Sequence, residues 1–223
     1  MSMCGRYSLE FDDGFFKRYK TTNTVALKSH YNIAPSQMMP AIVRHSPNTV
    51  ELMLWGLIPF WEQKKEKPKG LINLRDDTIV AKAWAHKYLQ LQRCLVPATG
   101  FYEWKKTTDA KVPFYIHLKT QSYFSFAGLY GSYTHPTSGK SINTYAIITT
   151  TPNRLMQPIH NRMPVILSPA DEDAWLDPDR VEIEQLQEFL KPYPADKMNA
   201  YLVSTRVNSP AHDTPDVIQP LSS

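Results

Sequence analysis

Apolar positions along this chain recur with two periods, and each change of period marks an element. Phe11, Phe15, Phe16 and Tyr19 fall at helical spacing, which predicts a short amphipathic helix over 11–19. A loop then leads to Tyr31-Asn32-Ile33-Ala34-Pro35, followed by strand-like runs at 39–43 and 50–55. Thr78 is placed to cap a helix on which Val80, Ala83, Trp84, the Lys87 stem, Tyr88 and Leu91 form one stripe, read as core packing. Between Arg93 and Thr150 come short β-rich runs at 95–96, 113–118, 123–129 and 145–149, with the turn-prone His135-Pro136-Thr137-Ser138-Gly139 among them. These predict an antiparallel meander. Two further helices are expected at 169–176 and 182–190, then a strand at 200–204 and a Pro-containing tail. Strands grouped together, rather than alternating with helices, predict an α+β fold instead of a doubly wound sheet. No repeat or long linker divides the chain, so a single domain is expected.

Composition narrows this picture. Hydrophobic residues make up 42% of the 223 and charged residues 21%, with only 8 glycines, which excludes disordered and fibrous classes. No apolar run approaches the roughly 20 residues of a membrane span. The N-terminus has Cys4, Gly5 and Arg6 where a signal peptide needs an apolar stretch. A cytoplasmic protein is expected. The net charge of +4 permits a polyanionic partner without requiring one. The two cysteines, Cys4 and Cys94, make no disulfide framework, and Cys94, in the run Cys94-Leu95-Val96-Pro97, is read as a buried, inert thiol. Gly-x-Ser-x-Gly, a phosphate-cradling glycine loop and Cys-x-x-Cys are all missing, and the seven histidines never fall in metal-ligand spacing, so no cofactor or metal is expected.

Five constellations carry possible chemistry, each beside a plainer alternative. Cys4-Gly5-Arg6-Tyr7 becomes unusual if a short leader is removed. An α-amine with a pKa of about 7.7–8.0 is unprotonated in roughly one molecule in seven at neutral pH, so it attacks an aldehyde directly. The adjacent thiol then closes a five-membered thiazolidine. The plainer reading is a small buried thiol in a first strand. His160-Asn161-Arg162-Met163-Pro164 offers a proton shuttle and a phosphate-holding arginine, or simply a structured turn. In Phe101-Tyr102-Glu103-Trp104-Lys105 the aromatics would desolvate Glu103 and make it a general acid; otherwise it is a solvated glutamate on a strand. Alternation puts Asn73 and Arg75 on one face of an extended segment, a pair suited to sugar and phosphate. Trp55-Gly56-Leu57-Ile58-Pro59-Phe60-Trp61, with a lysine-rich loop over 64–70, supplies a stacking surface and a cationic track for single-stranded nucleic acid, or only a solvated loop.

Taken together these motifs resemble the SRAP family, the SOS-response-associated peptidases or abasic-site processing proteins. The resemblance is carried by Cys-Gly-Arg at 4–6, Tyr-Asn-Ile-Ala-Pro at 31–35, Trp-Gly-Leu-Ile-Pro-Phe-Trp at 55–61, Ile-Asn-Leu-Arg at 72–75, Phe-Tyr-Glu-Trp-Lys at 101–105, Phe-Ala-Gly-Leu-Tyr at 126–130, His-Asn-Arg-Met-Pro at 160–164 and Val-Asn at 207–208. It implies one α+β domain over 3–220 with a largely antiparallel, barrel-like core and surrounding helices. It also implies a covalent thiazolidine between an N-terminal Cys4 and the ring-opened sugar of an abasic site in single-stranded DNA, including junctions with duplex. An imine alone activates the sugar for strand cleavage, whereas thiol capture removes that electron sink. By the same resemblance Asn73 orients the sugar, Glu103 manages protons and His160 helps open the ring. Arg75 and Arg162 hold the flanking phosphates. Arg6, Pro35, Trp61 and Trp104 are further DNA-side positions, with Trp61 stacking and Trp104 supporting the pocket. Autopeptidase (hydrolase) and lyase-type chemistry belong to the same implication, as does a role in the DNA-damage response; a monomer is expected.

Two features depart from the family pattern. Met1-Ser2-Met3 precede Cys4, whereas the family cysteine follows the initiator methionine, so residues 1–2 are expected to be additional to a start at Met3 or removed by the protein itself. Leu74, Asp76 and Asp77 stand in Asn-Leu-Arg-Asp-Asp where the family has Asn-Ala-Arg-Ala-Glu, and the two aspartates are expected to weaken phosphate binding locally. Two other classes stay open: a thiol peptidase using Cys4, His160 and Glu103, which needs no free amine, and a noncatalytic single-strand-binding module built on Trp61 and the basic loop.

Overall fold

β-branched and aromatic residues fill the runs that the chain pairs into sheets, where such side chains pack best on a pleated surface. The computed structural model describes residues 5–44 and 48–221. In chain order its elements are β1 (Tyr7–Leu9), α1 (Phe15–Tyr19), β2 (His30–Ile33), β3 (Met38–Arg44), β4 (Asn48–Trp55), β5 (Asn73–Arg75), α2 (Asp76–Ala81), α3 (Ala83–Leu91), β6 (Arg93–Ala98), β7 (Gly100–Lys106), β8 (Lys111–Leu118), β9 (Phe124–Thr134), β10 (Ser141–Thr150), β11 (Met163–Pro164), β12 (Ile166–Leu167), α4 (Pro169–Leu176), α5 (Ile183–Gln187) and β13 (Met198–Leu202).

Five strands, β3, β4, β10, β9 and β6, pair in a ring and close a small barrel, which removes the exposed edges an open sheet would leave. The β4–β10 pairing is parallel (Thr144↔Leu54); the other four are antiparallel. β5 adds to β10 in parallel, β11 adds to β10 and β12 to β9. The remaining strands form a second, antiparallel sheet in the order β13-β8-β7-β1-β2. The fold is α+β, and the barrel-like core expected from the resemblance is present. The single meander expected over 93–150 is not: β6, β9 and β10 belong to the barrel, while β7 and β8 leave for the second sheet. Pro40, which has no N–H to give, sits in β3 outside its pairing with β6, which is confined to Ile42↔Leu95.

Alternation along β7 and β8 buries the second sheet on both sides. Phe101 and Ile116 point into the main core, while Tyr102 and Tyr115 pack with Val203, Val207, Val217 and Ile218 of the C-terminal segment on the other side. Gly100 is required at its place, because a β-carbon there would lie 2.2 Å from the Tyr115 ring. β1 joins the two halves: the Tyr7 hydroxyl lies 2.7 Å from that of Tyr145, and its ring meets Trp55 edge-on at 5.1 Å. Cys94 is fully buried in the barrel, where desolvation pushes its thiol pKa far up, in keeping with an inert role.

Several helix boundaries differ from expectation for local reasons. The first helix begins only at Phe15, because Asp12 folds back on Gly14 N–H (2.7 Å) and its carbonyl accepts from Phe15 N, making a turn of 12–14. The helix expected after Thr78 is two helices broken at Lys82, whose backbone is extended (φ −108, ψ 115). Thr78 lies inside α2 and caps nothing. Of the predicted stripe, Tyr88 is buried and Val80 and Trp84 pack against the core, while Ala83, Lys87 and Leu91 are exposed; Ile79, Ala85 and Leu89 are buried beside them. α4 matches its expected span, with Pro169 in the first turn and the Ser168 hydroxyl accepting from Asp171 N. The last strand starts two residues earlier than expected, at Met198.

Candidate active site

Cys4 lies outside the described residues, and the site is built from the other residues expected there. The first described residues run beside β7: the Arg6 carbonyl accepts from Tyr102 N at 3.0 Å, one residue before Glu103. The Arg6 side chain does not reach outward. Its guanidinium donates to Asn32 Oδ1 (2.8 Å) and to the carbonyls of Val207 (2.6 Å) and Asn208 (3.1 Å). Burial pulls its pKa down, partly offset by Tyr102. Arg6 therefore clamps β1 and β2 to the C-terminal turn 205–208.

A cleft of about 510 Å³ opens here, lined by Glu103, Trp104, Lys106, Lys111, Ile159, His160, Asn161 and Asn208. Glu103 is only 3% exposed, which the solvated-glutamate reading does not fit. Trp104 is half-buried and donates its indole N–H to Asn208 Oδ1 at 2.8 Å, fixing the ring as one wall. His160 arrives from another part of the fold. Asn153 Oδ1 accepts from Leu155 N and Met156 N, both at 3.0 Å, starting a turn whose Met156 carbonyl accepts from His160 N. The imidazole Nδ1 then lies 3.2 Å from Arg162 N–H and 3.3 Å from the Arg162 carbonyl. Burial lowers the His160 pKa below 6.5, so the neutral ring predominates at pH 7.

The arginines and Asn73 gather at the far end of β10. Asn73 and Arg75 pair with Ile147 and Thr149 through β5, and Met163 pairs with Thr150. Arg162 is buried; its Nη2 donates to Asp76 Oδ1 and to the Thr149 carbonyl, each at 2.6 Å. Arg75 is exposed and pairs with Asp77, whose carboxyl it holds well below the usual range. Both aspartates singled out as departures from the family pattern thus occupy the two arginines expected to hold phosphates. A phosphate that takes the Nη2 proton now on Asp76 must displace that carboxylate.

Trp61 projects from a short 3-10 turn, Phe60–Glu62, and is 45% exposed. Trp84 supports it edge-on at 4.9 Å and Phe60 flanks it at 5.0 Å. The loop behind it is ordered by Glu62, which accepts from Lys65 Nζ (2.7 Å) and Lys69 N (2.9 Å) and leaves the Lys64 and Lys67 side chains exposed. Pro35 is half-exposed in the turn between β2 and β3, where Ser36 adopts a left-handed conformation (φ 71). Neither Pro35 nor Trp61 lines the cleft.

Of the residues expected from the sequence, Glu103, Trp104 and His160 line this cleft; Lys106, Lys111 and Ile159, which no motif singled out, line it with them. The lysines meet through the β7–β8 register, Lys106↔Lys111, which no local motif announces. Asn208 carried a signal as part of Val-Asn, though not for its hold on Trp104. Among the described residues no group of three or more His, Cys, Asp or Glu side chains is placed to hold a metal ion.

A model of the family described as SOS response associated peptidase (SRAP) matches residues 3–210. The abasic site processing protein YoqW of Bacillus subtilis (strain 168) is 41% identical over 224 residues, covering 97% of this chain and 99% of that protein. The abasic site processing protein HMCES of Xenopus tropicalis is 29% identical over 83% of this chain and 64% of its own length. A crystal structure of a protein from Bacteroides thetaiotaomicron superposes with a TM-score of 0.89 at 30% identity, covering 98% of this chain and all of that one. A family model and a relative of this identity both extend along most of its length, and the chain belongs to the SRAP family.

Proposed function

We propose that this protein processes abasic sites in single-stranded DNA by covalent capture at Cys4. The observation that carries the reading is the convergence of buried Glu103 with half-buried Trp104 and His160 on one cleft. Cys4 is two residues from Arg6, whose carbonyl is bound next to Glu103, and two residues of chain span at most about 7 Å. The names of the relatives point to the same substrate.

The α-amine of an N-terminal Cys4 attacks the sugar aldehyde, and the carbinolamine loses water to give an imine. The thiolate adds to the imine carbon, the nitrogen takes a proton and a thiazolidine forms, so the adduct weighs protein plus DNA minus one water. Glu103 moves protons at the carbinolamine oxygen, and His160 serves ring opening as a proton acceptor or donor. Asn73 orients the sugar, Arg75 and Arg162 take the flanking phosphates, and Trp61 stacks on a base outside the cleft. The protein acts as a cytoplasmic monomer.

The test compares this chain with one beginning at Met3. Each is incubated with a single-stranded oligonucleotide carrying one abasic site, and adducts are read by denaturing gel and intact mass. A heat-stable adduct of the stated mass, formed only when Cys4 is the first residue, is expected. No adduct from verified Cys4-terminal protein would overturn the proposal and bring forward the thiol peptidase.

A further inference from the structure

A second cavity, of about 380 Å³, shares no lining residue with the active-site cleft and lies between the start of the chain and the β8–β13 edge of the second sheet. Its walls are aromatic. Tyr115 and His117 lie nearly parallel, with centroids 6.0 Å apart, and the Tyr201 ring stands 5.7 Å from both. Register explains the grouping, since β13 sets Tyr201 opposite Tyr115.

The polar groups around these rings divide by chemistry. Four hydroxyl groups are engaged within the protein: Tyr201 Oη donates to the Ile218 carbonyl (2.8 Å), Tyr115 Oη and Thr99 Oγ1 share hydrogen bonds with Ser8 Oγ (2.8 and 3.0 Å), and Tyr123 Oη accepts from Asp12 N (2.9 Å). Glu10 and Asp12 contribute carboxylates that take part in no ion pair among the described residues, Asp12 Oδ1 accepting from Gly14 N at 2.7 Å. Gln121 Oε1 is a buried acceptor with no donor among the described residues. His117 Nδ1 lies 2.9 Å from the Leu118 carbonyl, which only accepts, so the neutral ring keeps its lone pair on Nε2. Glu10 is central, close enough to Tyr115, Tyr123 and Tyr201 to raise the pKa of each, and partial burial raises its own.

Aromatic faces, two carboxylates and a buried amide oxygen form a site complementary to a cation that carries N–H donors on an apolar stem. We propose that this cavity binds a primary alkylammonium group, with the stem against His117 and Tyr201 and the ammonium at the Glu10 carboxylate. An anion would meet the Glu10 and Asp12 carboxylates there. The ligand chemistry has two sources, a free aliphatic diamine and the lysine side chain of a peptide.

Calorimetry and ring-proton NMR on the full chain decide, with 1,5-diaminopentane, an acetylated lysine-containing tripeptide amide and pentanoate as probes. Saturable binding of one or both cations is expected, with shifts centred on Tyr115, His117 and Tyr201 and none from pentanoate. Diamine binding alone identifies a free amine as the ligand, and peptide binding alone a lysine side chain. Glu10→Gln, an isosteric change at an exposed position, should weaken binding about tenfold while leaving cross-linking to abasic DNA unchanged. Failure of both cations to saturate at millimolar concentration, or equal binding by Glu10→Gln, would overturn the proposal without touching the active-site reading.

Discussion

At the scale of single residues, the main chain of Arg162 holds the His160 imidazole in both of its protonation states. Arg162 N–H gives to a neutral Nδ1, which leaves the proton on Nε2; a protonated Nδ1 gives to the Arg162 carbonyl instead. The ring therefore keeps its place while its charge changes, as a proton shuttle must. Burial favours the neutral form, so the folded chain takes up this proton less readily than the unfolded one. The associated stability is present above pH 6.5 and is lost as pH falls beneath it. An NMR titration should find the His160 midpoint below 6.5, and a midpoint above it would contradict this account. His160→Gln should slow single-turnover cross-linking by about a hundredfold while leaving the unfolding midpoint at pH 7 nearly unchanged.

At the scale of elements, Asp76 ties three pieces together. It opens α2, accepts from Thr150 Oγ1 (2.7 Å) at the end of β10 and pairs with Arg162 just before β11. Asp76→Ala would leave the buried Arg162 guanidinium without its counter-ion and should lower stability by about 3 kcal/mol in urea unfolding. The same change frees one Nη2 proton while the other stays on the Thr149 carbonyl, so binding of abasic single strands should tighten and become more salt-dependent; weaker binding would place Arg162 outside the phosphate contacts. The Asp76 carboxylate was legible in the sequence as a departure from the family pattern. Its partner was not, because Asp76 and Arg162 are far apart in sequence and meet only through the β5–β10–β11 pairing.

At the scale of the whole molecule, the barrel and the second sheet bring together segments from both ends of the chain. The β7 glutamate, the 151–162 turn and the 205–208 turn meet at one cleft, and Arg6 is tied to the last of these. Exposed Trp61 and the basic loop extend the surface beyond it. If the loop follows the DNA backbone, replacing Lys64, Lys67 and Lys69 together by Gln should reduce the slope of log K against log salt by about 2, near 0.7 for each phosphate contact on a single strand. An unchanged slope would show that the strand takes another course, past Lys106 and Lys111.

The amino-acid sequence by itself determined the kinds of element, the α+β class and the chemical identity of Glu103, Trp104 and His160, because hydrophobic period and side-chain chemistry are local properties. Tertiary structure alone decided that residues 93–150 divide between a closed barrel and a second sheet, because strand partners depend on long-range pairing that no local period records. It also decided the break at Lys82, the aspartate partners of Arg75 and Arg162, and the aromatic cavity at the β8–β13 edge. The Arg162–Asp76 pair and the cavity depend on which distant side chain arrives within a few ångströms.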